Sequence, residues 1–166
     1  MKNSELISKN EIVIFNNQKI RISRNFSFDM AHALHNYQGP CKNIHGHTYH
    51  FRATLLGLPI QKAGSTHDGM VADFGEIKRI VKETIIDKFD HALVLNHDSP
   101  ISNSKEIKDE CEKLIVLPFQ PTCENLLTYF ISLLHPKFIK EMELISARLD
   151  ETTNSYAEWY KSDNQG

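Results

Sequence analysis

Two stretches of alternation constrain this chain more than any other feature. Along residues 20 to 32, Ile20, Ile22, Phe26, Phe28, Met30 and His32 share one side of an extended backbone and Arg21, Ser23, Asn25, Ser27 and Asp29 share the other, with only Arg24 out of pattern. Residues 45 to 55 repeat the arrangement, with His45, His47, Tyr49, Phe51, Ala53 and Leu55 on one side and Thr48, His50, Arg52 and Thr54 on the other. A period of two predicts half-buried strands, and the connecting loop of residues 33 to 44 predicts that they pair antiparallel.

Elsewhere the period changes. Asp73, followed three residues later by Glu76, resembles a capping box, and Phe74, Ile77, Ile80, Val81 and Ile85 then recur at helical spacing, predicting a helix over residues 74 to 87. Thr122 is positioned to cap a second helix over residues 123 to 134, built on Leu126, Leu127, Phe130, Ile131 and Leu134 and ended by Pro136. Residues 141 to 151 alternate again, with Ile145, Ala147 and Leu149 opposite Met142 and Leu144, and predict a strand ending at Glu151. Residues 12 to 15, IVIF, predict a short leading strand, whereas residues 98 to 121, rich in Ser, Lys, Glu and Pro, read as an insertion or long loop. Strands, helix, helix and strand in that order give an α+β class. Across 166 residues no repeat or linker divides the sequence, so one domain spanning residues 1 to 166 is expected.

Composition narrows the function. Nineteen Lys and Arg against 21 Asp and Glu leave a net charge of −2, which provides no electrostatic footprint for nucleic acid or an anionic membrane. No apolar run approaches the ~20 residues of a membrane-crossing helix, and the opening MKNSELISKNEIVIF lacks the order of a signal peptide, so a cytoplasmic location is expected. Cys41, Cys111 and Cys123 form an odd set without CxxC spacing and are read as reduced thiols. Nine histidines are the unusual count, and they direct attention to metal and acid-base chemistry.

His45 and His47, one residue apart on a strand, project from the same face as two ligands of one ion must, and pairing with the preceding strand brings His32 beside them. Three imidazoles without a carboxylate suit Zn²⁺ and leave a fourth position for water or substrate; the plainer alternative is three ordinary hydrogen-bonded histidines. Cys41, four residues before His45, has three readings: a fourth ligand closing a structural site, a thiol beside the ion that acts in proton transfer, or an inert buried cysteine. Asp90 and His91 can pair only in a turn, where the carboxylate sets the imidazole tautomer; otherwise they are surface residues. Glu151, on the register of Ile145, Ala147 and Leu149, either enters a pocket to meet a donor-rich ligand or Arg, or ends the strand in solvent.

The segments FSFDMAHAL, CKNIHGHTY, GMVADFGEIK, FDHALVLN, PTCENLL and LDETTNSYAEW together resemble the 6-pyruvoyltetrahydropterin synthase superfamily, in particular its 6-carboxytetrahydropterin synthase branch of queuosine biosynthesis. The resemblance runs from about residue 20 to 160. It implies a tunnelling fold: an antiparallel sheet of four main strands with two helices on one face, trimerising into a barrel, two trimers making a homohexamer. It implies that His32, His45 and His47 hold zinc, that Cys41 with the Asp90–His91 dyad moves protons, and that Glu151 anchors a pterin ring. The implied substrate is 7,8-dihydroneopterin triphosphate, and the implied products are 6-carboxy-5,6,7,8-tetrahydropterin, acetaldehyde and triphosphate. The three-residue gap between Cys41 and His45 resembles the carboxy branch; a synthase making 6-pyruvoyltetrahydropterin, or a zinc- or pterin-binding protein without turnover, are the alternatives. Ala33 stands where relatives often carry Arg, and the residues before about 20 and those near 98 to 118 lie outside the resemblance, as an N-terminal extension and an insertion.

Overall fold

A computed structural model describes residues 18–138 and 142–164. The leading strand expected at residues 12 to 15 lies outside the described residues. Strands β1 (Ile20–Ala33) and β2 (His45–Gly57) pair antiparallel along nearly their whole length, with Phe28 opposite Tyr49, Met30 opposite His47 and His32 opposite His45. Their shared apolar face is one wall of the core, as the alternation requires.

Two helical segments, residues 74–89 and 123–134, cover that face. Helix α1 (Phe74–Val81) begins where the Asp73 carboxylate accepts from the Gly75 N–H at 2.7 Å, continues through a π-helical turn at Lys82–Ile86, and ends in the short α2 (Asp87–Phe89). Strand β3 (Ala92–Asn96) follows, then α3 (Lys105–Glu110), strand β4 (Leu114–Leu117) and α4 (Cys123–Leu134), which the Thr122 hydroxyl caps through Asn125 N–H. Ile77, Val81, Ile85 and Phe89 from the first helical segment and Leu126, Phe130 and Leu134 from α4 pack with Phe28, Tyr49, Phe51 and Leu55 in one cluster. The Phe130 ring sits edge-on to Phe28, Phe51 and Phe89, an arrangement that aromatic quadrupoles favour.

The sheet has six strands, in the order β4-β3-β1-β2-β5-β6, where β5 is Met142–Asp150 and β6 is Tyr156–Tyr160. This corrects the expected four-stranded antiparallel sheet: β3 runs parallel to β1, and β4 runs parallel to β3. All five residues of β3 are buried, so its sequence ALVLN carries no alternation to announce a strand. The segment expected as an insertion or long loop is the crossover that parallel strands require. It contains α3 and β4, and its Ile101, Ile107 and Cys111 pack with Ala33, Leu93 and Leu95 on the face of the sheet away from α4.

Strand β5 departs from simple alternation. Its pairing with β2 shifts between Thr54–Ser146 and Leu55–Leu144, leaving Ile145 as a bulged residue. Leu144 therefore joins Ala147 and Leu149 in the core, where strict alternation had placed it on the opposite side.

Candidate metal centre and proton-transfer groups

The β1–β2 register gathers three imidazoles. His32, His45 and His47 have ring centroids 4.5 to 5.4 Å apart, and one ligand atom from each lies within 4.8 Å of the others. His32 is 1% exposed, and its Nδ1 lies 2.7 Å from the Pro121 carbonyl oxygen, just ahead of α4. A carbonyl only accepts, so Nδ1 carries the proton and Nε2 presents a lone pair. His45 is held the same way by the Asn43 carbonyl at 2.8 Å. Such outer hydrogen bonds fix the tautomer a metal ligand needs.

Electrostatics agree. Burial pushes the His32 pKa below the ordinary imidazole value, the neighbouring His45 and His47 add to the effect, and the Pro121 carbonyl and Glu151 oppose it. Burial, helped by His45, likewise lowers His47 against the pull of Glu151. Neutral rings with lone pairs converging are the form that binds a cation, so these residues can hold a metal ion.

Glu151, one residue past β5, points back at this cluster. Its Oε1 is 3.6 Å from His32 Nε2 and accepts from the Tyr49 hydroxyl at 3.3 Å. Burial is the main cause that raises the Tyr49 phenol far above its usual range, and Glu151 adds to it. Cys41 sits in a 3-10 turn at Pro40–Lys42, half-buried, with its carbonyl accepting from Leu34 N–H at 2.9 Å. Its thiol is not among the converging ligand atoms.

Asp90 and His91 occupy the turn between α2 and β3. His91 adopts φ +60°, a left-handed conformation uncommon for a residue with a Cβ, and its Nδ1 lies 3.1 Å from Asp90 Oδ1. Asp29 braces both from β1: its N–H donates to Asp90 Oδ1 at 3.0 Å and its carbonyl accepts from His91 N–H at 2.6 Å. Lys113 Nζ donates to the carbonyls of Asp87 at 2.8 Å and Asp90 at 2.7 Å, holding the end of the helical segment. Desolvation raises the Asp90 pKa, but the Asp29 N–H, His91 and Lys113 outweigh it and hold the carboxyl below its usual value.

Among the described residues, no hydrogen bond or ring contact joins the dyad to His32, His45 or His47. Asp90 and His91 line a groove of about 1000 Å³ with Asp29, Ala31, Gly46 and Thr48, and Met30 and His47 of the alternate register border it as well.

The sequence pattern of the 6-pyruvoyl tetrahydropterin synthase family matches residues 21–162. The chain belongs to that family. Among its family relatives, 6-carboxy-5,6,7,8-tetrahydropterin synthase of Haemophilus influenzae is 36% identical over 143 residues, covering 84% of this chain and 97% of the relative. The enzyme of that name from Rickettsia conorii is 31% identical over 141 residues, covering 84% and 99%. The family fold recurs in a crystal structure of an uncharacterized protein from Wolinella succinogenes, with a TM-score of 0.71 at 20% identity over 86% of this chain and 98% of that one. Caenorhabditis elegans 6-pyruvoyl tetrahydropterin synthase shares it with a TM-score of 0.61 at 22% identity over 86% and 96%.

The family match takes in every candidate site residue and reaches into all six strands, including β3 and β4. Three neighbours of the site escaped sequence reasoning. Tyr49 was readable, being two residues past His47 on the same strand face; Asp29 and Lys113 were not, because they reach the dyad only through tertiary contacts. Ala33 is buried against Leu93 and Leu95 and contributes packing to the second apolar cluster. Among the described residues, no helix is long and apolar enough to cross a membrane.

Proposed function

We propose that this chain is a zinc-dependent 6-carboxytetrahydropterin synthase of queuosine biosynthesis, a lyase that converts 7,8-dihydroneopterin triphosphate and water into 6-carboxy-5,6,7,8-tetrahydropterin, acetaldehyde and triphosphate. The observation that carries this reading is the convergence of three imidazoles, two of them tautomer-fixed, beside a carboxylate, in a chain whose relatives bear that enzyme name. Nitrogen-only donors favour Zn²⁺ over the oxygen-seeking Mg²⁺ and Ca²⁺, with His32, His45 and His47 as ligands. Zinc, when bound, supplies a Lewis acid that acidifies a substrate hydroxyl and stabilises developing negative charge.

The chain's own residues supply the rest. Glu151 holds the pterin ring, whose edge offers two parallel N–H donors to a carboxylate. Cys41, close to the cluster but outside its ligand set, exchanges protons with the substrate side chain. Asp90 holds His91 through Nδ1, which leaves Nε2 free to exchange a proton. No contact joins that dyad to the three histidines within the described residues of one chain, and the reading places it in a homo-oligomer, a hexamer, in which a second copy presents His91 to the metal centre.

The deciding experiment incubates the purified protein, loaded with zinc, with 7,8-dihydroneopterin triphosphate and identifies the products. Acetaldehyde and 6-carboxytetrahydropterin are expected in equal amounts. Release of triphosphate with 6-pyruvoyltetrahydropterin and no acetaldehyde assigns the pyruvoyl reaction instead, and an absence of turnover leaves a binding protein.

A further inference from the structure

Tyr49 carries a hydroxyl into the core. Its ring is fully buried and stacks on Phe28 at a centroid distance of 5.5 Å and an interplanar angle of 14°. Its Oη lies 3.3 Å from Glu151 Oε1 and 3.4 Å from His32 Nε2, and those two atoms are 3.6 Å apart. The three polar atoms form a triangle between the metal cluster and the carboxylate.

The protons in this triangle can be counted. His32 gives its Nδ1–H to Pro121, so its Nε2 offers only a lone pair. An ionised Glu151 offers only acceptors. The single Tyr49 proton therefore has two competing acceptors, and with the ring buried no third is within reach among the described residues. A metal ion on His32 Nε2 occupies the competing lone pair.

We propose that Tyr49 is a positioning residue whose hydroxyl orients the Glu151 carboxylate towards the pterin ring, and that metal binding at His32 commits the hydroxyl proton to Glu151. The inference rests on the reading of Glu151 as the ring anchor. A carboxylate held through Oε1 loses less rotational freedom when the ring arrives, so the gain appears as affinity for the ring. Linkage then makes metal and ring each favour the other's binding, even for a pterin with no side chain to reach the metal.

The test is a titration of unsubstituted pterin, followed by its fluorescence, against wild type, Y49F, E151Q and the double variant of the full chain, each loaded with zinc and stripped of it. Y49F retains the ring that stacks on Phe28, and circular dichroism and zinc content verify the fold and the metal site. In the zinc-loaded protein Y49F is expected to weaken pterin binding about tenfold, the worth of one modest hydrogen bond to a charged group. The same change in the E151Q background is expected to do almost nothing, and zinc is expected to strengthen pterin binding more in wild type than in Y49F. Normal binding by Y49F alongside weakened binding by E151Q overturns the role of Tyr49 and leaves Glu151 as anchor. Normal binding by E151Q overturns both. Equal losses from Y49F in the two backgrounds assign the hydroxyl to another partner and overturn the proposal. Independently of any variant, a wild-type pterin affinity indifferent to zinc overturns the coupling.

Discussion

His32 Nδ1 and the Pro121 carbonyl oxygen are 2.7 Å apart although 89 positions separate them in the chain. That contact ties the turn before α4 to the strand bearing the metal cluster, and it decides which imidazole nitrogen faces His45 and His47. The tautomer is thus set by the fold before any ion binds.

Removing one of three ligands is expected to empty the centre. His45→Ala should lower zinc affinity by about two orders of magnitude or more while leaving the buried core intact, since His45 is only partly buried. Elemental analysis after dialysis against a mild chelator checks this; one zinc per chain in the variant contradicts the assignment.

The metal-free protein should lose stability as pH falls. His32 and His47 have pKa values lowered in the fold, so below the ordinary imidazole value of about 6.5 the unfolded chain takes up protons that the folded chain refuses. Stability then declines from about pH 6.5 downward until the folded pKa values are reached. Melting temperatures of the zinc-stripped protein at pH 7.5 and 5.5 should differ in that direction, and His32→Gln should flatten the dependence. A melting temperature that rises on acidification contradicts it.

Cys41 separates coordination from catalysis. Its thiol lies outside the converging ligand atoms, so Cys41→Ala should retain zinc, oligomeric state and pterin affinity while turnover falls by roughly 10²- to 10⁴-fold, the range for a lost acid-base group. Loss of zinc would mean a closed structural site, and full activity would remove Cys41 from the mechanism.

A dyad presented by a neighbouring copy predicts complementation between subunits. His45→Ala and His91→Ala should each be nearly inactive, yet unfolding and refolding them together in equal amounts should restore about a quarter of wild-type activity, the fraction of sites that draw both intact halves from different chains in a random closed assembly. A mixture no more active than its parts excludes a site shared between copies.

Local periodicity made much of this protein legible. The alternation through residues 20 to 32 and 45 to 55 assigns both strands, their buried face and the three histidines that share it, because side-chain direction in a strand depends only on neighbouring backbone units. The caps at Asp73 and Thr122 are equally local, each a side chain bonding an N–H two or three residues on. Tertiary structure decided the rest. Strand β3 lacks alternation because both its faces are covered, and β4 exists only because the crossover through α3 returns the chain to the sheet edge. The bulge at Ile145 turns Leu144 inward, the Pro121 carbonyl selects the His32 tautomer, and the parallel pairing of β1 with β3 brings Asp90 and His91 against Asp29. Each of these depends on where distant segments of chain meet, and no spacing along the sequence encodes that.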